Sequence, residues 1–331
     1  MSAMSKPLMA AMLMGLLGTA LLFASAPSAH AQNFPTKPIT VIVPYTPGAT
    51  ADTTIRLISQ KVTEAVGQPI RIDNRPGGNG VIGTLAAKQA APDGYTLLQA
   101  NISAHAANPS LSSKLPYDPI RDFKPVTLLW TFPSFLVVPG SEAVRSVADL
   151  AVLGKSKPGG LSYVSTGIAT GGHLLGEMFR TRSGLPMVHV PYKGAAPAIV
   201  DLVAGRADFF FVSYASVSGY IAEGKLRALA VAAPNRLKRF PDIPTMAEAG
   251  FPNVEYVTWF GLLAPAGTPD AIIAKLNEEF ARAARSPDLV KRFSDEGIDL
   301  ASTSPAEFGQ MISGDIEKLR KVVRDSGAKF E

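Results

Sequence analysis

Ile39-Thr40-Val41-Ile42-Val43-Pro44-Tyr45-Thr46-Pro47-Gly48-Ala49-Thr50-Ala51-Asp52 is the stretch on which the reading of the whole chain turns. Its first five residues are an apolar, β-branched run, the pattern of a strand covered on both faces in a parallel sheet. Pro44 to Thr50 supplies turn residues, and from Asp52 onward Ile55, Ile58 and Val62 recur at helical spacing. The unit is strand, glycine-containing loop, helix. The same grammar restarts at Leu161 to Val164, with the loop Ser165 to Gly172 leading into a helix that carries Leu174, Leu175, Met178 and Phe179 on one face. Two such sets predict an α/β protein of two domains, with helix N-termini facing one another across a cleft.

The segments between these units fit the same plan. Ile70 to Ile72 and Thr96 to Leu98 read as strands, separated by a helix over Val81 to Ala90. Val126 to Leu129 and Phe135 to Val138 read as two strands interrupted by Pro133, where a crossover between domains fits. After a helix at Val147 to Gly154, further strands are expected at Met187 to Val190, Phe209 to Val212 and Leu226 to Val231, alternating with helices and implying a second parallel sheet. Tyr256 to Leu263 reads as a strand that crosses back. Helices over Pro269 to Ala284, Pro287 to Glu296 and Pro305 to Ser326 close the chain.

The N-terminus sets the compartment. Met1 to Lys6 carries one positive charge, Pro7 to Phe23 is uncharged and apolar, and Ala29-His30-Ala31 is a small-residue cleavage site, so residues 1–31 read as a secretory leader cut after Ala31. With no cysteine anywhere, neither a disulfide framework, a lipid-anchored thiol nor a thiolate metal site is available. Without the leader's single lysine the balance is 31 basic against 27 acidic residues, a net +4 with no long run of like charge. Nucleic-acid binding has little support in that pattern, whereas a mild positive field favours anionic solutes. The 27 prolines and 29 glycines lie mostly between periodic segments and punctuate structure.

Catalytic and cofactor signatures do not hold together. Gly78-Asn79-Gly80-Val81-Ile82-Gly83 matches G-x-G-x-x-G, yet Arg75-Pro76-Gly77 lengthens the turn and no strand ending in an acid follows at the distance a dinucleotide site needs. A glycine-rich helix start packed on the sheet is the better reading, and no cofactor is expected. The histidines beyond the leader, His105, His173 and His189, lack metal-ligand spacing and read as structural. There is no nucleophile elbow and no Walker lysine.

What remains is a set of small polar loops where strands hand over to helices: Gly48 to Asp52, Asn101 to Ala104, Ser165 to Gly172, and Lys193 to Ala196. In open α/β sheets such loops lie at the carboxyl ends of the strands, where ligands bind. A helix start offers free N–H donors, and Gly or Ala lets a carboxylate approach them. Thr50, Ser103, Thr166 and Thr170 can add hydroxyl donors. Ordinary capping accounts for any one of these loops taken singly; the four together favour a site.

Val43 to Gly48, Asp73 to Gly77, Ala91 to Thr96, His189 to Gly194 and Trp259 to Pro269, in that order along the chain, resemble the signature segments of Bug-type solute-binding proteins, the extracytoplasmic receptors of tripartite tricarboxylate transporters. The resemblance implies a type II periplasmic-binding-protein fold: two α/β lobes, residues 32–132 with 256–331 and residues 133–255, joined by two crossing strands around a ligand cleft. It further implies a monomeric periplasmic receptor for a small organic anion, with membrane components of such a transporter as partner, no nucleic acid and no metal. Carried over segment by segment, it assigns Tyr45, Gly48, Ala49, Thr50, Asp52, Asn101, Ser103 and Ala104 of the first lobe to a carboxylate. Ser165, Thr166, Thr170, Tyr192, Gly194 and Ala195 would come from the second lobe.

Departures from the family pattern bear on specificity. Ala49 and Ala169 stand where relatives often have glycine, and Val212-Ser213 follows Phe209-Phe210-Phe211 where relatives often have Asp-Asn. Without an acid at that point, the expected ligand lacks an ammonium group: an aliphatic or aromatic mono- or dicarboxylate lying near Ser213. Alternatives are a periplasmic sensor accessory with a signalling partner and, across classes, an exported hydrolase.

Overall fold

The computed structural model describes residues 34–111 and 114–326. The expected leader and its cleavage site lie outside them. Among the described residues no helix is long and apolar enough to cross a membrane.

Strand β1 (Ile39–Val43) runs parallel to β2 (Ile70–Asn74) on one side and to β3 (Thr96–Asn101) on the other. Helix α1 (Thr50–Val66) connects β1 to β2, and α2 (Val81–Lys88), entered through a 3-10 turn at Gly78–Gly80, connects β2 to β3. After β3 come a π-type turn over Ser103–Ala107 and the short α3 (Asn108–Leu111). The second set repeats the arrangement. Strand β5 (Leu161–Ser165) is parallel to β6 (Met187–Pro191) and to β7 (Phe209–Ser213) on its two sides, with α5 (Gly171–Ser183) and α6 (Ala195–Val203) as the connections. In both sets the first strand is central, the second lies outside it and the third inside. The topology is therefore the same although no sequence repeat is visible.

The two parallel sets are the two sheets that the sequence suggests, and one long strand belongs to both. Strand β4 (Phe123–Pro139) is one element of 17 residues, not two strands broken at Pro133. Up to Pro133 it pairs antiparallel with β9 (Val257–Pro265), which in turn borders β3. From Ser134 it pairs antiparallel with β7, and from Phe135 also with β8 (Leu226–Val231). The hydrogen-bonded path is thus β2-β1-β3-β9-β4-β7-β5-β6. Pro133 sits where β4 changes partners, the point in a long strand at which a missing N–H interrupts the ladder least. Ala232 N–H donates to Ser134 O (2.8 Å) and Tyr256 N–H to Ala232 O (3.2 Å), so the chain returns to the first set beside the same crossing.

Helix α4 (Val147–Ser156) begins with a full capping box, Ser146 Oγ accepting from Asp149 N–H and Asp149 accepting from Ser146 N–H. Helix α7 (Tyr214–Ala222) follows β7; α8 (Asp270–Ala284), α9 (Pro287–Asp295), the two-residue β10 (Asp299–Leu300) and α10 (Pro305–Ser326) end the chain. Strand β7 shows how the sheet is buried on both faces. Phe209 and Phe211 enter one hydrophobic cluster with Phe179, Leu174 and Tyr163, while Phe210 and Val212 enter the other with Ile199, Leu202 and Phe135. Alternation along the strand sends successive rings to opposite faces, and each buried ring contributes about 1.5–3 kcal/mol.

Candidate functional site

The first-set loops are built around a buried carboxylate. Asp52, in the first turn of α1 and 2% exposed, accepts hydrogen bonds from Gly48 N–H (2.9 Å), from Asn74 Nδ2 (2.8 Å) and from Arg56 Nε (3.0 Å). Asn74 Nδ2 also donates to Tyr45 O, and Arg56 donates to Asn74 Oδ1. Burial pushes the Asp52 carboxyl up, but the Arg56, Gly48 and Asn74 donors outweigh it and hold the pKa below the usual carboxylate value. Asp52 therefore anchors the loop from behind, and its charge faces protein donors instead of a solute. Gly48 takes φ +82°, a turn that places its N–H on that carboxylate and favours a residue without Cβ.

The other two first-set loops meet this one. A Cβ on Gly80 would stand 3.0 Å from Ala104 Cβ, 3.7 Å from Asn101 Nδ2 and 3.8 Å from Pro44 Cβ, and one on Gly83 would stand 3.0 Å from Pro44 Cβ. The Gly78 to Gly83 motif is therefore a packing device that lets α2 and the ends of β1 and β3 close on one another. Asn101, also 2% exposed, uses Oδ1 to accept Ala104 N–H (2.9 Å), so its side chain shapes its own turn. Tyr117 Oη donates to Ala104 O (2.6 Å), fixing the turn from below. Of the residues named from sequence, Tyr45, Gly48, Ala49, Thr50 and Ser103 remain exposed or half-exposed on this face. No side chain caps the start of α1 at Ala49, although the same holds for α8, so an open helix start singles out no site alone.

The second-set loop is held by an equally dense set of bonds. Ser165 Oγ donates to Gly167 O (2.9 Å), accepts Gly167 N–H (3.1 Å) and lies 2.7 Å from His189 Nε2. Thr170 Oγ1 donates to Gly167 O (2.8 Å), which leaves the start of α5 without a side-chain cap. Tyr192 N–H donates to Ser165 O and Gly194 N–H to Thr166 O, stitching the two second-set loops together and bringing Ala195 at the start of α6 beside them. The Tyr192 hydroxyl, however, donates to Asp201 on α6, and the ring packs into the second hydrophobic cluster, so this tyrosine braces its own helix. Ser213 Oγ is paired with Ser216 Oγ at 2.9 Å at the start of α7.

Loops from the two sets converge on the return of the chain to β9. A Cβ on Gly171, the first residue of α5, would stand 2.8 Å from Tyr256 Cε1 and 3.4 Å from Thr258 Oγ1. From the first set, the Tyr45 ring packs on Phe260 of β9 at 5.7 Å, and Phe260 stacks on Trp130 of β4 at 4.9 Å. Burial raises the Tyr45 hydroxyl well above its ordinary pKa, and burial, followed by the Asp315 carboxylate, raises Tyr256 as well. Both tyrosines stay neutral. Sequence reasoning did not select Tyr256, Thr258, Asn74 or Arg56; the Gly171-Gly172 doublet was the one available signal that backbone and a neighbouring side chain approach closely there.

Two large surface cavities, about 820 and 770 Å³, open along residues 116–125 and α10 and are lined by none of these loop residues. A smaller one of about 220 Å³ lies beside Tyr256, Trp259 and Asp315. Among the described residues no group of three His, Asp or Glu side chains could hold a metal ion.

Residues 54–328 match the family described as tripartite tricarboxylate transporter family receptor. Among individual proteins, the chain is 35% identical to protein BugT of Bordetella pertussis over 302 residues, covering 91% of this chain and 93% of BugT. It superposes on the structure of Rpa4515 from R. palustris with adipate at a TM-score of 0.81, with 34% identity over 89% of this chain and 98% of that one. It superposes on MatC (Rpa3494) from Rhodopseudomonas palustris with bound malate at 0.77, with 32% identity over 88% and 100%. The repeated parallel sets joined through β4 and β9 are thus the two-lobed periplasmic-binding fold, and the chain belongs to the Bug-type family of tripartite tricarboxylate transporter receptors.

Proposed function

We propose that this protein is a monomeric periplasmic receptor, released by cleavage after Ala31, that captures a small carboxylate and hands it to the membrane components of a tripartite tricarboxylate transporter. The lobes of this reading are residues 32–132 with 256–331 and residues 133–255. The observation that carries it is the convergence of Tyr45 and of the α5 start at Gly171 on the segment Tyr256 to Phe260, because it sets the loop after β1 and a helix start of the second set around one junction. The exposed hydroxyl of Thr50, the half-exposed one of Ser103 and the N–H groups of the α1 and α5 starts are the donors offered to a carboxylate. Relatives bound to adipate and malate support the ligand class. Val212 and Ser213 offer no acid to an ammonium group, which favours aliphatic or aromatic mono- and dicarboxylates over amino acids.

A thermal-shift screen of the processed chain against mono-, di- and tricarboxylates, aromatic acids and amino acids tests this. A ligand at a hundred times its Kd adds about 2.7 kcal/mol to the folded state and raises the midpoint. Amino acids outperforming their deaminated analogues would overturn the ligand class, and silence from all carboxylates would overturn the receptor reading. With the best acid in hand, Thr50→Val and Ser103→Val should each weaken binding about ten-fold, the worth of one hydrogen bond to a charged group. Their melting temperatures without ligand should match the parent, since neither hydroxyl braces the fold. Unchanged affinity in both would place the carboxylate elsewhere.

A further inference from the structure

The second-lobe loop rests on two histidines that the ligand reading does not use. His173 and His189 stack with ring centroids 3.8 Å apart and planes 9° from parallel, and Tyr163 continues the stack on His189 at 4.8 Å. At the loop, Ala169 N–H donates to His173 Nδ1 at 3.0 Å. Ala169 has φ +62°, a left-handed conformation that a residue with a Cβ adopts at a cost. Its bond to His173 is the interaction that offsets this cost. A ring nitrogen that accepts a hydrogen bond carries no proton, so His173 is neutral here, with its proton on Nε2.

His189 has the opposite requirement. Ser165 has one hydroxyl hydrogen, yet its Oγ contacts Gly167 O and His189 Nε2 and also accepts Gly167 N–H. All three contacts are satisfied when Ser165 donates to Gly167 and His189 donates from Nε2. That donor survives protonation of the ring, whereas the acceptor at His173 Nδ1 does not.

We propose that His173 is the positioning residue that sets the Ser165–Gly172 loop, and that its protonation undoes the loop and releases the carboxylate held there. The release rests on the receptor reading above; the setting of the loop does not. The groups facing the pair are Tyr163 of β5, whose hydroxyl donates to Glu177 (2.7 Å), Glu177 of α5 itself, and Arg180, which pairs with Glu177 at 2.7 Å. Phe209 of β7 closes the far side of the Tyr163 ring. Burial, followed by the neighbouring His189, lowers the His173 pKa to about 4, while Glu177 opposes the shift. The acceptor is thus bare at neutral pH and is lost on acidification.

The test uses hydrogen exchange of the peptide spanning residues 166–172, corrected for intrinsic rates, with α8 as internal control, together with adipate and malate titrations. His173→Leu at pH 7 should speed exchange in that peptide, and weaken binding of either acid, by about ten-fold or more, the effect of one buried donor left unpaired. In His173→Asn the side-chain oxygen stands where Nδ1 stood, so this variant should keep both properties. Between pH 5 and pH 4 the parent should lose more affinity than this variant does, the fall that the two share being protonation of the acid itself. Parent-like exchange in His173→Leu, or equal damage in both variants, would overturn the proposal. If His173→Leu does not fold, the pH profile of His173→Asn against the parent decides. If neither acid binds the parent, the receptor reading fails for them, and the exchange comparison still decides whether His173 sets the loop.

Discussion

Gly176→Ala should lose about 3–5 kcal/mol of stability, a large effect for a single methyl group. The added Cβ would lie 2.1 Å from Tyr163 Cε2 and 2.6 Å from Cδ2 and Cζ. Relief would require the Tyr163 ring to move, and it is held on every side. The ring is fully buried, its hydroxyl is bonded to Glu177, and His189 and Phe209 stack on its faces at 4.8 and 5.4 Å. Gly219→Ala in α7 is the matched control. Its Cβ would meet nothing within 4 Å, so it should stabilise by about 0.5–1 kcal/mol through helix propensity alone. Urea midpoints for the two variants give the comparison, and a Gly176→Ala protein as stable as the parent would mean that the Tyr163 stack yields far more easily than its packing implies.

The second large effect is acid destabilisation between pH 6.5 and pH 4. Burial holds His105, His173 and His189 neutral in the fold, with pKa values lowered from 6.5 to about 4 in each case. Unfolded, each takes up a proton near pH 6.5. In the window between, the unfolded chain binds more protons, so stability falls as pH falls, and the loss is complete near pH 4. For the fully buried His105, whose Nε2 has no partner among the described residues, the difference corresponds to about 3 kcal/mol. His173 and His189 titrate as a stacked pair and add a loss of similar size. Carboxylates such as Asp52, whose pKa is already lowered in the fold, contribute only below this window. Stability measured by urea at pH 7, 6, 5 and 4.5 should therefore drop steeply, and His105→Leu should flatten its share of the slope. Constant stability from pH 7 to pH 5 would contradict the neutral, buried state of these rings.

Much of this architecture is legible in the sequence because it depends on local pattern. The run Ile39 to Val43 and the spacing of Ile55, Ile58 and Val62 each specify one element without help from the rest of the chain, and α1 and β1 formed where those patterns place them. Strand β4 was misread because Pro133 is a breaker by local rules, and only the exchange of partners from β9 to β7 makes it tolerable. The turn over Ser103–Ala107 is too short to show a period. At the site, the loops could be located from the strand-to-helix transitions, but the direction of each side chain could not. Tyr192 is named for the second lobe, but that its hydroxyl turns to Asp201, nine residues on, is not visible in the sequence. Asp52 reads as facing the ligand until Asn74, from the next strand, and Arg56 claim its oxygens. Those partners are brought together only by the fold.

Strand β4 also sets how the protein can move. Because it runs unbroken for 17 residues through both lobes, the lobes share a single ribbon of backbone, about 55 Å long at strand spacing. For the receptor proposed above, closure about a ligand would be absorbed as added twist in that ribbon. The twist will concentrate around Pro133 and Ser134, where one set of ladder bonds has ended and the next has just begun. A ribbon wound in that way would resist further winding, so the torsional stiffness of a few backbone bonds would add to what a solute must supply to hold the proposed receptor shut.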